Sequence, residues 1–312
     1  MLSIIIPAYN VEKTILQALQ SIDRSIENSC QVIVVNDCST DNTAEIINSY
    51  QSPKHSISLI NMKENSGPGL CRDFGLQFAT EPWVLYFDGD DEIVPGVVDS
   101  AVEELTRQNL DVGLFPYKVR DFSNKGILRD MWEIDKKVFY SHGETILDPS
   151  TDPEILQITN YPWNKICRRQ FLNDIKIQFG PFRMNEDIYP HWQILTQAKK
   201  VKFFMRHLVR YSLSSKGHAT NVNDRQRFQV VDVLIKTKKL LDSLPNGYLY
   251  KPSFFRFSYT VLCWAYDSIH ENLKPEFKNT IRRFFYTLDE KDLGLLMISG
   301  DNVVNYFYWI MQ

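Results

Sequence analysis

Residues 2–35 read LSIIIPAYNVEKTILQALQSIDRSIENSCQVIVV, and their pattern decides the fold. Leu2 to Ile6 is a short apolar run that stops at Pro7, as a buried strand does. Val11, Ile15, Leu19, Ile22 and Ile26 then recur three or four residues apart, the apolar stripe of an amphipathic helix. Gln31 to Val35 is a second buried strand. The alternation continues outward. Asp41 to Tyr50 has helical spacing with Asp41 as N-cap, and Ile57 to Met62 is a third strand. Pro68 to Ala79 is a helix with Pro68 in its first turn, and Trp83 to Phe87 is a fourth strand. Pro95 to Gln108 is a helix and Val112 to Pro116 a fifth strand. Strand alternating with helix predicts an α/β fold with a mostly parallel central sheet and right-handed crossovers. Ligands of such sheets sit at the carboxyl ends of the strands. That rule selects Pro7–Asn10, Asn36–Thr40, Glu64–Gly69 and Asp88–Asp91, all polar and all following a strand.

Further along, Asp121 to Asp148 is irregular with a small hairpin, Asp187 to Gln197 reads as a helix and Val201 to Tyr211 as a strand. From Val222 the period is helical, with segments at Arg227–Leu241, Ser253–Ile269, Pro275–Leu288 and Asp301–Ile310. A composition shift near Ser215 to Asp224 separates this C-terminal helical region, 222–312, from the rest. The chain has 312 residues, 35 Lys+Arg against 38 Asp+Glu, and 44% hydrophobic residues, which excludes a disordered chain or a coiled coil. A net charge of −3 gives no basic excess for nucleic acid. The five cysteines form no C-x-x-C pair, so reduced thiols in the cytoplasm are expected rather than a disulfide framework or a zinc site. The N-terminus has no basic region before its apolar run, and no stretch is apolar enough to span a bilayer.

Asp88, Asp90 and Asp91 place three carboxylates within four positions at a strand end. A divalent cation such as Mg²⁺ or Mn²⁺ would neutralise them, with phosphate oxygens as its other ligands. An acidic turn capping the next helix is the plainer reading. In the loop Asn65-Ser-Gly-Pro-Gly-Leu-Cys-Arg72, two glycines allow close backbone approach, the helix start favours an anion, and Arg72 can reach a diphosphate. Asp37 is left for a ligand once Asp41 caps its helix. Glu186-Asp187 precedes a helix, where capping is the plainer reading.

Together these pieces resemble the family 2 glycosyltransferases, which have the GT-A fold. The matching elements are Ser3-Ile-Ile-Ile-Pro-Ala-Tyr-Asn10, Val34-Val-Asn-Asp-Cys-Ser-Thr-Asp-Asn-Thr43, Asn65-Ser-Gly-Pro-Gly-Leu-Cys-Arg72, Asp88-Gly-Asp-Asp91, Trp163-Asn-Lys165 and Glu186-Asp187. They cover roughly residues 1–215, a GT-A domain with a nucleotide-binding half (1–117) and an acceptor-side half (118–215). The resemblance implies that Pro7, Ala8, Tyr9 and Glu12 border the base and ribose and that Asp37 bonds the base. It implies Arg72 near the uridine or diphosphate, Asp88 and Gly89 at the ribose, and Asp90 on Mn²⁺ or Mg²⁺. Asp187 would be the catalytic base, with Glu186, Trp163, Asn164 and Lys165 on the acceptor side. Two departures are Asn36, where many members have Asp, and Asp73, where Asn is commoner.

The implied reaction is inverting transfer of a hexosyl or N-acetylhexosaminyl group from a UDP-sugar to a glycan or lipid-linked hydroxyl, in bacterial surface-polysaccharide biosynthesis. The Q-x-x-R-W motif of processive synthases is absent. His218, in a small-residue loop, could ligate the metal or sit exposed. The aromatic-rich C-terminal helices suggest core packing, with homo-oligomerisation or peripheral contact at the inner face of the plasma membrane through Arg282-Arg-Phe-Phe-Tyr286 as further readings. Two rivals stand beside the transferase. A sugar nucleotidyltransferase should carry a Gly-rich basic loop where Pro7-Ala-Tyr-Asn10 stands, and a non-catalytic GT-A-like binding module should have lost Asp90 or Asp187.

Overall fold

The computed structural model describes residues 1–122, 125–213 and 223–312. Its first half is the expected alternation: β1 (Leu2–Ala8), α1 (Ile15–Ser25), β2 (Gln31–Asn36), α2 (Thr43–Ser49), β3 (Ser56–Asn61), α3 (Pro68–Leu76) and β4 (Trp83–Tyr86). β5 (Glu92–Ile93), α4 (Val98–Arg107) and β6 (Val112–Leu114) follow. β1 runs parallel to both β2 and β4, with Ile5 opposite Ile33 on one side and Tyr86 on the other. Ile4, Ile5 and Ile6 are all buried, as a central strand covered on both faces requires. β3 is the sheet edge, and its exposed positions are polar: Ser56, Ser58 and Asn61. α1 turns Ile15, Ala18, Leu19 and Ile22 into the core.

The second half departs from a simple repeat. It contains β7 (Tyr117–Asp121), β8 (Ile127–Asp130), α5 (Glu133–His142), β9 (Ile146–Leu147), β10 (Lys165–Arg168), α6 (Arg169–Asp174), α7 (Ile188–Gln197), β11 (Val201–Phe203) and β12 (Val209–Leu213). β10 inserts antiparallel between β4 and β6, with Ile166 opposite Leu85 and Gly113. The eight-stranded sheet therefore runs β3-β2-β1-β4-β10-β6-β11-β9. The single strand expected over Val201 to Tyr211 is two strands in two sheets. β6 and β11 pair in the main sheet, then β7 and β12 pair in a second sheet ordered β5-β12-β7-β8. The break falls at Pro116, which has no N–H for a ladder, and opposite it at Arg206 and His207. Both parallel strands change sheet together. A hairpin does form, but as β7–β8 it begins at Tyr117, ahead of the expected Asp121 to Asp148 stretch.

The C-terminal region is α8 (Gln229–Ser243), α9 (Lys251–Ser268), α10 (Lys274–Phe285), α11 (Glu290–Met297) and α12 (Asp301–Met311). The sequence reading missed α11, which is short and opens with a reciprocal Asp289–Asp292 capping box. These helices share the hydrophobic core of the sheet domain. Trp192 of α7 meets the rings of Phe254 and Phe257 edge-on at 5.1 and 5.4 Å. Arg282 donates to the Ile310 carbonyl and Arg283 to Asp232, so both arginines of the basic-aromatic patch are engaged within the chain. Among the described residues no helix is long and apolar enough to cross a membrane.

Candidate active site

The polar loops after β1, β2, β3 and β4 converge on one open cleft of about 900 Å³. Pro7, Ala8, Tyr9, Glu12, Asp37, Arg72, Asp88, Gly89, Asp90 and Glu186 all line it. The rim is braced from within. Glu12 accepts from the backbone and side chain of Asn42 at 3.1 and 2.9 Å, while Asp41 accepts from the Glu12 N–H at 3.1 Å. Asp41 also accepts from the Thr43 N–H at 3.0 Å, so it braces the start of α2 from two residues ahead of the helix. Asp37, expected to face the base, spends both oxygens on the loop before α3. It accepts from the N–H groups of Ser66 at 2.6 Å and Gly67 at 2.8 Å. Its direct work in this structure is to hold that loop against the cleft.

Arg72 ties this wall to the distant Glu-Asp pair. Its Nη2 donates to Asp88 at 2.7 Å and its Nη1 to Glu186 at 2.8 Å, bridging positions 114 residues apart. The neighbouring Asp73 explains one departure from the family pattern. Its two oxygens accept from the N–H groups of Phe179 and Gly180 at 2.8 and 2.9 Å, and an asparagine has only one oxygen to offer. The two glycines of the loop differ in role. Gly67 has a φ of +90°, which only glycine adopts at ease, and lines the cleft. Gly69 faces protein, not ligand: a Cβ there would lie 2.6 Å from the Gly180 carbonyl oxygen and 3.2 Å from the Glu186 side chain. Gly69→Ala is therefore expected to cost about 1–3 kcal/mol and to displace Glu186 from Arg72. A urea midpoint equal to the parent's would contradict that.

The acidic loop after β4 is held from the second sheet. The buried Asp91 accepts from the Ser212 N–H of β12 at 2.7 Å, while its other oxygen has no hydrogen-bond partner among the described residues. Burial, then Asp90 and Asp88, push its acid well above the usual carboxylate range. Crowded carboxylates with an orphaned oxygen fit a hard divalent cation. No group of three such ligands converges among the described residues. A cation here would have one or two carboxylates and would take its other ligands from substrate phosphates. His218 lies outside the described residues.

Glu186 and Asp187 follow Asn185, which adopts the left-handed φ of 57°. Asp187 occupies the N-cap position of α7 yet makes no side-chain capping bond, so capping does not account for it. Burial and the adjacent Glu186 raise its acid from 3.8 to about 7, against the opposing pull of Arg72 and Lys165. It faces a small cavity behind the cleft, whereas Glu186 faces the cleft itself.

Trp163, Asn164 and Lys165, expected on the acceptor side, are buried. They are 1%, 1% and 3% exposed. They lead into β10 in mid-sheet, where protein covers them: Trp163 stacks on Tyr161 at 4.4 Å, and Asn164 donates to the Thr159 carbonyl at 2.9 Å. The cleft also recruits residues the sequence reading missed, among them Arg120, Phe122, Arg183 and Ser212. Arg183 lies three residues before Glu186 and donates to the Asn65 side chain and carbonyl at 2.5 and 2.6 Å, latching the two loops together. Its nearness to the Glu-Asp pair was the one available signal.

Fold and cleft define the chain as a GT-A protein, with its ligand-facing loops at the carboxyl ends of a mostly parallel sheet. The model of glycosyl transferase family 2 matches residues 3–187, and the chain belongs to that family. It is 24% identical over 250 residues to the glycosyltransferase GlyA of Streptococcus pneumoniae, covering 78% of this chain and 35% of that protein. It is 32% identical over 134 residues to the poly(ribitol-phosphate) beta-N-acetylglucosaminyltransferase TarS of Staphylococcus aureus, covering 42% of this chain and 23% of TarS. It thus spans about a third or less of these two relatives. A processive diacylglycerol beta-glycosyltransferase of Mycoplasma pneumoniae is 25% identical over 99% of this chain and 94% of its own. The crystal structure of TarS residues 1–349 with UDP-GlcNAc superposes with a TM-score of 0.79 at 21% identity, covering 94% of this chain and 83% of that one.

Proposed function

We propose that the chain is an inverting glycosyltransferase moving a hexosyl or N-acetylhexosaminyl group from a UDP-sugar to a hydroxyl of a glycan or lipid-linked acceptor in surface-polysaccharide assembly. The observation that carries this reading is the Arg72 bridge, which sets the donor-side Asp88 and Glu186 on one cleft, with Asp187 next to Glu186 in the chain. The relatives' named activities support the acceptor classes, and TarS crystals with UDP-GlcNAc and with UDP support the donor. Five free cysteines suit a reducing, cytoplasmic setting.

Asp90 and Asp91 would hold Mn²⁺ or Mg²⁺, which when bound supplies positive charge beside the donor diphosphate. Arg72 adds a fixed cation on the same wall. Tyr9, 49% exposed at the cleft, offers its ring to the base. Asp187 takes the proton of the acceptor hydroxyl as that oxygen attacks C1. The new C1–O bond forms as the bond from C1 to the diphosphate oxygen breaks, the electron pair leaves with the diphosphate, and the configuration at C1 inverts.

A panel of nucleotide sugars with Mn²⁺, scored for released nucleoside diphosphate, tests the reading. One UDP-sugar should turn over slowly without acceptor, and Asp90→Asn should lower that rate about 100-fold or more. Absence of turnover across the panel, with no rise in Tm on adding UDP and Mn²⁺, would favour a non-catalytic binding module.

A further inference from the structure

A small, partly open cavity of about 10 Å³ is bordered by Asp187, Lys165, Tyr86, Cys167, Phe179 and His191. That is about the room one water needs, provided two to four polar groups face it. The lining is mostly apolar, but two buried polar atoms without a partner belong to residues that border it. The Tyr86 hydroxyl and the Nδ1 of His191 are buried without a hydrogen-bond partner among the described residues. His191 Nε2 lies 3.0 Å from the Leu156 carbonyl and so donates to it, which leaves Nδ1 as an acceptor.

Lys165 is the one ammonium on this wall, and it forms no salt bridge with any described carboxylate. Two of its three N–H groups donate to the Tyr161 carbonyl at 2.8 Å and the Asn164 side-chain oxygen at 2.5 Å. The third is available to the cavity that Asp187 also borders. Burying a lysine with only neutral partners is costly, and a carboxylate across a water-sized gap offsets that cost.

We propose that Lys165 is the positioning residue of the reaction, acting through this cavity and one water in it to keep Asp187 ionised and oriented toward the acceptor. The inference rests on Asp187 being the base. The charged and titratable groups around Asp187 make the assignment specific. Glu186, beside it in the chain, opposes its ionisation. Arg72 of α3 favours ionisation but is already bound to Asp88 and Glu186. Burial and the nearby Lys165 keep His191 of α7 neutral, and burial holds the Cys167 thiol and the Tyr86 hydroxyl protonated. Lys165, whose charged form is favoured by both Asp187 and the buried Asp135 of α5, is the remaining cation. Burial lowers its own pKa to about 8, so it still carries its charge at neutral pH.

The test is the pH profile of kcat/KM in Lys165→Gln, Lys165→Met and Tyr86→Phe. The parent should show an ascending limb near pH 7 that Asp187→Asn removes. Lys165→Gln keeps two amide N–H groups for the two oxygens and loses the charge and the third N–H, so it should fold where methionine does not. It should move the limb up by about one unit or more. Tyr86→Phe, on the same cavity, should leave the limb in place. A Lys165→Gln enzyme slowed equally at every pH, with its limb unmoved, overturns the proposal and leaves Asp187 as base. A parent without a limb that depends on Asp187 overturns both.

Discussion

Asp187→Asn is expected to slow sugar transfer by about 10²–10⁴-fold and, at pH 8, to raise the melting temperature. A positioned general base contributes roughly 10²–10⁴-fold, and an amide cannot accept the acceptor's proton. The stability gain follows from the raised acid. In the unfolded chain Asp187 has its ordinary acid strength, and in the fold burial and Glu186 lift it to about 7. Between these values the folded state binds the extra proton, so stability falls as pH rises and levels off above about 7. At pH 8 the native protein bears the full cost of a charged, half-buried Asp187, and asparagine removes it. At pH 4 the folded Asp187 is protonated, most of the cost is gone, and the two proteins should melt close together. A gain of about 1 kcal/mol would lift Tm by roughly 2 °C in a chain of this size. The measurement is a pair of melting curves at pH 4 and 8 beside a transfer assay. An inactive variant that is less stable at pH 8 than the parent would show that Asp187 is structural.

That opposition between stability and chemistry is what the sequence could not display. The periodicity of residues 2–116 was enough to place β1 to β4, their helices and the polar loops at the carboxyl ends of those strands. It could not announce β10, four residues long with no pattern of its own, which enters the parallel sheet backwards. Trp163-Asn-Lys165 was therefore legible as a motif but not as buried, because its burial is set by β4 and β6 on either side. Ser212 was invisible for a related reason. It reaches Asp91 through a backbone N–H, 121 residues away, and any residue other than proline could supply that donor. Side-chain chemistry leaves a mark in sequence, whereas backbone donors and strand direction do not.

Arg72→Ala should be the most destabilising single change at the site, and a second substitution should reveal why. The guanidinium is 4% exposed and packs 5.3 Å from the Phe179 ring. Burial alone would weaken its hold on its proton, but Asp88 and then Glu186 outweigh that, so it remains charged. Alanine would leave two carboxylates facing each other across a hole, and removing one member of a buried pair typically costs about 3–5 kcal/mol. Asp88 retains some access to water, which places the expected loss toward the lower end, about 3 kcal/mol. Arg72→Lys cannot repair it, since a single ammonium does not span two carboxylates in the way the planar fork does. If charge rather than volume dominates, adding Glu186→Gln to Arg72→Ala should recover part of the stability, because the repulsion goes while the hole remains. Urea denaturation of the two single variants and the double variant separates the terms. Equal midpoints for Arg72→Ala and the double variant would mean that the guanidinium fills space, and the electrostatic link between donor wall and base would be lost with that result.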